Sequence, residues 1–446
     1  MIGWMQLVND FVWGPPLLML LVGTGVYFTI RLGLFQISKL PMAFRLIFSS
    51  DQSGSGDVSS FAALCTALAA TVGTGNIVGV ATAITTGGPG ALFWMWVAAF
   101  FGMATKYAEG FLAIKYRTKD ANGQAAGGPM HYITLGMGQK WKPLAIFFAF
   151  SGVLVALLGM GTFSQVNSIA SSMSASFGLP PQLVSIVTAI TVALFVFGGI
   201  EKISQVSTKI VPFMAILYIV ASVTVLVVHA DQLLPTLSLV VKSAFSPTAA
   251  MGGFVGATVK EAIQRGIARG VFSNESGLGS APIAAAAAKS DNPVEQGLIS
   301  MTGTFIDTLI ICSLTGLSIL VTGKWTVDGL VGAPLTQSAF STVFGNSGAI
   351  ALTISLVLFA YTTILGWSYY GERCIEYLFG AKAITPYRLV FVVMVALGGF
   401  LKLELIWIIA DIVNGLMALP NLIALLALSP IIIKETTIYF KKNTKR

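Results

Sequence analysis

Apolar residues run through this chain in long blocks, and polar residues gather in the gaps between them. A helix that crosses a bilayer needs roughly 20 mostly apolar residues. Eleven segments of about that length occur, near 14–32, 59–84, 90–114, 143–172, 182–199, 209–229, 250–288, 296–322, 347–371, 386–401 and 404–432. Shorter mixed stretches between the sixth and seventh segments, and over 333–344 between the eighth and ninth, predict re-entrant or surface helices. The pattern predicts an all-α multipass membrane protein with eleven transmembrane helices.

Two segments break the pattern. The second carries Val72-Gly73-Thr74-Gly75-Asn76-Ile77-Val78-Gly79 where a lipid-facing helix would carry Leu and Ile. Glycine in a helix interior costs about 1 kcal/mol relative to Ala, so the cluster predicts an unwound stretch. Backbone of that kind at membrane depth is tolerated only where protein or a cavity surrounds it. Close packing of small residues is the alternative, but packing needs neither Asn76 nor the threonines at 71 and 74. The seventh segment carries Phe272-Ser273-Asn274-Glu275-Ser276-Gly277-Leu278-Gly279-Ser280 between apolar flanks. It reads as a second broken helix or as a surface loop that splits the segment.

Position decides for the break. With segment one set aside as a leading helix, segments two to six and seven to eleven form two sets of five, each opening with its interrupted helix. Five is odd, so the sets insert with opposite topology, and paired interrupted helices point to the binding site of an inverted-repeat transporter. The expected organisation is a leading helix and cytoplasmic loop over 1–58, repeats over 59–229 and 230–432, and a basic cytoplasmic tail over 433–446. Half-helix N-termini suit a carboxylate, and unwound carbonyls suit a cation or an ammonium. A zwitterionic amino acid meets both demands.

Composition agrees with this class. Of 446 residues 55% are hydrophobic and 10% charged, against about 25% charged in soluble domains. The net charge of +8 is topological. Eleven crossings put nearly all Lys and Arg on one face and leave Lys242, Lys324 and Lys402 on the other, so the C-terminus is expected in the cytoplasm and the N-terminus outside. A nucleic-acid partner is not expected. Three cysteines without C-x-x-C spacing and two distant histidines predict no disulfide framework, no metal site and no cofactor. No basic region precedes Arg31, so no cleaved signal peptide is expected. The absence of G-x-x-x-x-G-K-[ST] leaves an ion gradient as the energy source. A channel would show a repeated filter, and a membrane enzyme would need a catalytic constellation in its spans.

The stretch from Gly75 through Val80-Ala81, Thr86-Gly87-Gly88-Pro89-Gly90-Ala91 and Lys106-Tyr107-Ala108-Glu109 resembles the alanine or glycine:cation symporter family. So does Gly270 through Pro282, followed by Ser300-Met301-Thr302-Gly303-Thr304-Phe305-Ile306-Asp307-Thr308. The resemblance implies sodium-coupled uptake of alanine, with glycine and D-alanine as further candidates, through a leucine-transporter-type fold. A proton-coupled carrier of small neutral amino acids and an ion channel are the alternatives. Val72-Gly73-Thr74-Gly75-Asn76 is similar to the first core helix of bacterial neurotransmitter:sodium symporters. By position, the backbone around Thr74 and Gly75 would hold a carboxylate and the Thr71 carbonyl an amine. Ala69 and Val72 carbonyls, with Phe359 and the Thr362–Thr363 pair, would hold sodium. Asn76, Gly79, Phe272, Ser273, Asn274, Ser276 and Gly277 complete the substrate candidates on the two breaks.

Outside the breaks, Phe163 and Gln165 in segment four, Met301 and Thr304 in segment eight, and Trp367 in segment nine are candidate pocket residues. Gln165 serves equally as an interhelical hydrogen-bond partner, and Trp367 as core packing. Four acids lie within spans, namely Glu109, Glu275, Asp307 and Asp411, and intramembrane charges are functional candidates. Lys106 and Glu109, three apart, predict an internal ion pair. Asp307 and Asp411 are expected to pair with a basic residue or polar helix ends, or to relay a proton. Arg265 and Arg269 are candidates for a gate with an acid such as Glu275, or for a solvated helix face.

Overall fold

The computed structural model describes residues 2–48, 54–249, 254–400 and 403–443, without the side chains of 2, 403–407 and 443. Lys402 and the tail residues Lys445 and Arg446 lie outside the described residues. The chain is mainly helical. The elements that matter here are α1 (Pro15–Arg31), α2 (Ser60–Thr71), α3 (Val80–Gly87), α4 (Gly90–Lys115), α5 (Lys142–Leu158), α6 (Phe163–Phe177), α7 (Gly199–Val228), α8 (Val259–Asn274), α9 (Ala281–Ala285), α10 (Pro293–Thr304), α11 (Gly332–Phe344), α12 (Asn346–Phe379) and α13 (Leu403–Ala427). One two-stranded hairpin, Thr118–Lys119 with Ala125–Ala126, lies between α4 and α5.

Eight helices among the described residues are long and apolar enough to cross a membrane, or nine with the bent pair of α2 and Gly75–Gly87. The fifth predicted segment is the shorter helix Pro181–Val196. The seventh is divided between the 16 residues of α8 and the 5 of α9. The mixed stretches between segments are helices too, Ala230–Phe245 and α11.

Helix starts follow local chemistry. The Ser59 side chain accepts from the Ala62 amide at the start of α2. Thr258 and Glu261 form a reciprocal capping box on α8, and Asn292 caps α10 ahead of Pro293. Such side chains satisfy amides that the first turn leaves free.

Packing sorts the long helices into two groups. In one, α4 lies against α8 and α10. In the other, α12 lies against α5 and α6, and Pro181–Val196 lies against Ile384–Leu397. The broken helix α2 touches both groups, through α10 and α12. Its contact with α12 is close, because a Cβ at Gly366 would come within 2.7 Å of the Ala70 Cβ.

The sequence reading missed two interruptions. Segment four is split at Gly159–Thr162, where the Thr162 hydroxyl donates to the Leu157 carbonyl at 2.6 Å. A Cβ at Gly161 would lie 2.9 Å from the Trp367 Cβ, so glycine lets this turn sit against α12. Segment eight widens into a π-type stretch over Phe305–Cys312.

The α2–α12 contact predicts the cost of filling it. Overpacking a close contact costs about 1–3 kcal/mol, so Gly366→Leu lowers the thermal unfolding midpoint in detergent. Gly23→Ala, at a helix position with nothing within 4 Å of a Cβ, does not lower the midpoint, since Ala favours the helix.

Candidate functional site

Both predicted breaks are present, and each carries its own set of side-chain partners. At the first, Val72 turns extended with φ −75° and ψ 90°. The Gly73 amide donates to the Asn76 side-chain oxygen at 2.8 Å, and the Thr74 amide to Gln165 Oε1 at 3.3 Å. Gln165 therefore takes the interhelical role here. The helix resumes through a π-type turn over Gly75–Gly79, bent by 50° from α2. Thr71 turns its hydroxyl back to the Ala67 carbonyl at 3.1 Å. The fully buried Thr74 Oγ1 has no hydrogen-bond partner among the described residues.

At the second break α8 ends on Glu275 in the left-handed region, φ 57°, and Gly277 and Gly279 follow with φ +86° and +84°. Lys106 Nζ donates to the Asn274 carbonyl at 2.8 Å, which caps the negative end of the half-helix. Glu109 Oε1 accepts from the amides of Gly277 and Gly279 at 3.1 and 3.0 Å, and from Asn421 Nδ2 at 2.7 Å. Asn421 also donates to the Gly277 carbonyl at 2.9 Å. Lys106 and Glu109 thus do not bond each other. Each serves the unwound backbone, whose unpaired groups are the costlier ones to leave buried.

The predicted substrate residues on the breaks converge. A Cβ at Gly75 would lie 3.1 Å from the Ser273 Cα, so the two breaks touch. Asp307 joins them. Its Oδ1 accepts from Asn76 Nδ2 at 2.7 Å and its Oδ2 from Ser273 Oγ at 2.8 Å. Its partners are polar and neutral, not a basic residue. Asn274 Nδ2 donates to Thr308 Oγ1 at 3.0 Å, and the Ser276 and Thr304 hydroxyls bond at 2.9 Å. Phe272 is buried with the Arg269 guanidinium 5.4 Å from its ring centre. Trp367 donates to Glu275 Oε1 at 2.9 Å, and Glu275 also receives the Ser280 hydroxyl. Met301 is fully buried in the core and Phe163 is nearly so at the start of α6. Gly79 opens instead onto a cavity of about 510 Å³, lined also by Thr82, Asn167, Ser171, Arg269 and Ala333.

The predicted sodium residues divide. Thr363 Oγ1 lies 3.1 Å from the Ala69 carbonyl, 3.4 Å from Val72 and 2.9 Å from Phe359. Thr362 turns the other way, toward Met214 Sδ at 3.6 Å and the Leu358 and Phe359 carbonyls. Neighbours on a helix point about 100° apart, since 3.6 residues make a turn, so only one of two adjacent hydroxyls faces α2.

Two sets of ties flank the site. At one end Arg269 grips Asp411 with two bonds of 3.0 and 2.8 Å, so Asp411, rather than Glu275, is the acid of the arginine pair. At the other, residues 55–58 lie along the end of α9. Asp57 and Val58 amides donate to the Ala287 carbonyl, and Lys289 donates to Val58. Arg117 adds bonds to the Ala288 carbonyl, Ser55 and Asp291, each at 2.7 Å. Ser55 donates its amide and hydroxyl to Asp291 and holds that carboxyl below its ordinary range. Asp57 accepts from Ala125 of the hairpin at 2.9 Å, and Arg373 on α12 holds Asp120 beside it at 2.9 Å.

Sequence reasoning did not find Asn421, which follows Pro420 inside an apolar helix; a buried amide in such a run was the available signal. It missed the strap over 55–58 because pairing with residues near 288 leaves no local pattern.

A membrane-embedded helical bundle whose two interrupted helices meet around buried hydroxyls, carbonyls and carboxylates is a secondary transporter. The chain belongs to the sodium:alanine symporter family, whose model matches residues 1–446. It is a multipass carrier and not an enzyme, and the family's cargo ion is sodium. It is 51% identical over 445 residues to the sodium/alanine symporter AgcS of Methanococcus maripaludis, covering 98% of this chain and 97% of that one. It is 56% identical to an uncharacterized transporter of Haemophilus influenzae, covering 98% and 95%. It is also 38% identical to the probable sodium/glutamine symporter GlnT of Bacillus subtilis, covering 98% and 90%. In fold it is similar to MhsT crystallised with L-phenylalanine, with TM-score 0.61, 13% identity and 84% and 89% coverage. It is likewise similar to the Eremococcus coleocola manganese transporter, with TM-score 0.51, 14% identity and 83% and 79% coverage. These are leucine-transporter-type folds.

The Glu109 contacts give a graded expectation. Glu109→Ala leaves the Gly277 and Gly279 amides unpaired, each costing about 1–3 kcal/mol, so folded yield falls sharply. Glu109→Gln keeps an acceptor oxygen and retains most of the yield. Equal yields for the two variants, read by size-exclusion chromatography, would refute the role.

Proposed function

We propose that this carrier takes up alanine with sodium, with glycine and D-alanine as further substrates, by alternating access at the junction of the two breaks. The observation that carries the reading is the convergence of Thr363 Oγ1 with the Ala69, Val72 and Phe359 carbonyls beside the first break. Hard cations prefer oxygen ligands, and this set comes from α12 of one packing group and from α2, which touches both groups. Sodium drawn between them favours one relative position of α2 and α12, which couples the ion to movement.

For the substrate, Thr74 Oγ1 is a buried hydroxyl with no partner among the described residues. Such groups are normally satisfied, and a carboxylate at the unwound turn of Thr74 and Gly75 satisfies this one. Thr71 and Ser273, with Phe272 and Trp367 as walls, would enclose a small side chain. Asn76, Asn274, Ser276 and Gly277 hold the breaks in shape. The 51% identity to a sodium/alanine symporter supports alanine and sodium together, whereas the 38% identity to a probable sodium/glutamine symporter makes the pocket walls the place where substrate range is set. Proton coupling is the rival reading for the driving ion.

The whole architecture fits this cycle as eleven spans. Adding Pro181–Val196, the α2–α3 pair and the α8–α9 pair to the eight long helices reaches that number, as a leading helix plus two inverted sets of five. The basic face then places the C-terminus in the cytoplasm and the N-terminus outside. On that orientation the cavity at Gly79 opens outward, the Arg269–Asp411 pair is the outer gate, and the strap over 55–58 is the inner one.

In proteoliposomes, labelled alanine accumulates with an inward sodium gradient and not with choline; accumulation driven by a pH gradient without sodium would favour the proton reading. Thr363→Val raises the half-saturating sodium concentration at least tenfold, while Thr362→Val changes it by less than threefold. Equal effects of the two would remove Thr363 from the ion site.

A further inference from the structure

A groove of about 610 Å³ runs between α1 and α8, on the side of α8 away from the site. Met19, Val22 and Val26 line it from α1, and Ile263 and Ile267 from α8. Gly23 stands in its wall with nothing within 4 Å of a Cβ. Among the described residues, Lys260, exposed at one end, is the only charged residue lining it. Among the described residues Lys260 forms no salt bridge. The neighbouring Glu261 turns back to cap its own helix, accepting from the Thr258 amide and hydroxyl at 2.7 and 2.8 Å. The amide Gln264 is likewise engaged, donating to the Trp13 carbonyl at 3.4 Å.

We propose that this groove binds one anionic glycerophospholipid, with an acyl chain along α1 and the phosphate at Lys260. The wall from Pro15 to Val26 rises about 16 Å at 1.5 Å per residue, close to half of the roughly 30 Å hydrocarbon core. That is the reach of one acyl chain in one leaflet. A trough open to the bilayer has no water to fill it, so lipid chains occupy it. Charge then selects the headgroup. A phosphatidylglycerol phosphate arrives without a cation of its own, whereas phosphocholine carries an ammonium that already neutralises it. One Lys at a membrane surface favours an anionic lipid by about fivefold. The occupied groove braces α8, the half-helix that carries Arg269 and Ser273.

The test is native mass spectrometry of the full chain released from nanodiscs of equal phosphatidylcholine and phosphatidylglycerol. The wild-type protein retains one phosphatidylglycerol in preference to phosphatidylcholine. Lys260→Ala lowers that preference about fivefold, and Lys260→Arg keeps it. Gly23→Phe, which fills the trough, removes the retained lipid with Lys260 intact, at an unchanged thermal midpoint. Added inorganic phosphate does not displace the lipid. A preference that survives Lys260→Ala, lipid still held by folded Gly23→Phe, or displacement by inorganic phosphate alone would overturn the proposal.

Discussion

Every backbone amide and carbonyl at membrane depth must find a partner inside the protein, and the two helix breaks make that demand hardest to meet. The structure answers with side chains drawn from distant parts of the chain. Asn76 closes the first break locally and reaches Asp307. Glu109, Lys106 and Asn421 serve the second. These partners fix where each half-helix points, and so fix the cavity and the oxygen cluster between them. Charges are affordable there only because the exposed ends of the half-helices supply opposite partial charge.

Much of this was legible in the residues. The glycine clusters at 73–79 and 277–279 gave both breaks, because a helix cannot absorb that composition without unwinding. The Thr362–Thr363 pair was visible too, but the reading could not tell which hydroxyl faces α2. That choice depends on helix rotation, which is set by packing against α5 and α6. The acids stand out as anomalies: Asp411 pairs with a basic residue and Asp307 with polar groups at the breaks, as expected, while the partners of Glu109 and Glu275 differ. Lys106 and Glu109 are neighbours in sequence, and the sequence holds no sign that each prefers the unwound backbone across the interface. Arg269 met Asp411 rather than Glu275 because Glu275 is already taken by Trp367 and Ser280. The turn at 159–162 passed unnoticed since its two glycines sit in an otherwise apolar run.

The two ties differ in their physics. The Arg269–Asp411 clasp is a pair of charges with little exposure, strong when desolvated and lost as water enters. The strap is built mostly from backbone hydrogen bonds, with Arg117 and Asp291 at its edge. Each such bond contributes modestly, so the strap parts in steps while the clasp releases at once. If the two ties are the gates of the proposed cycle, they have no reason to open at the same rate.

The bridge between Val58 and Ala288 joins residues more than two hundred positions apart. During synthesis the first partner emerges long before the second, and closing so long a loop carries its entropy cost late. The early helices must therefore sit in the membrane without this fastening until the later ones arrive. The finished molecule acquires this tie only after residue 288 has been made, so a chain truncated before that residue lacks it whatever else it folds.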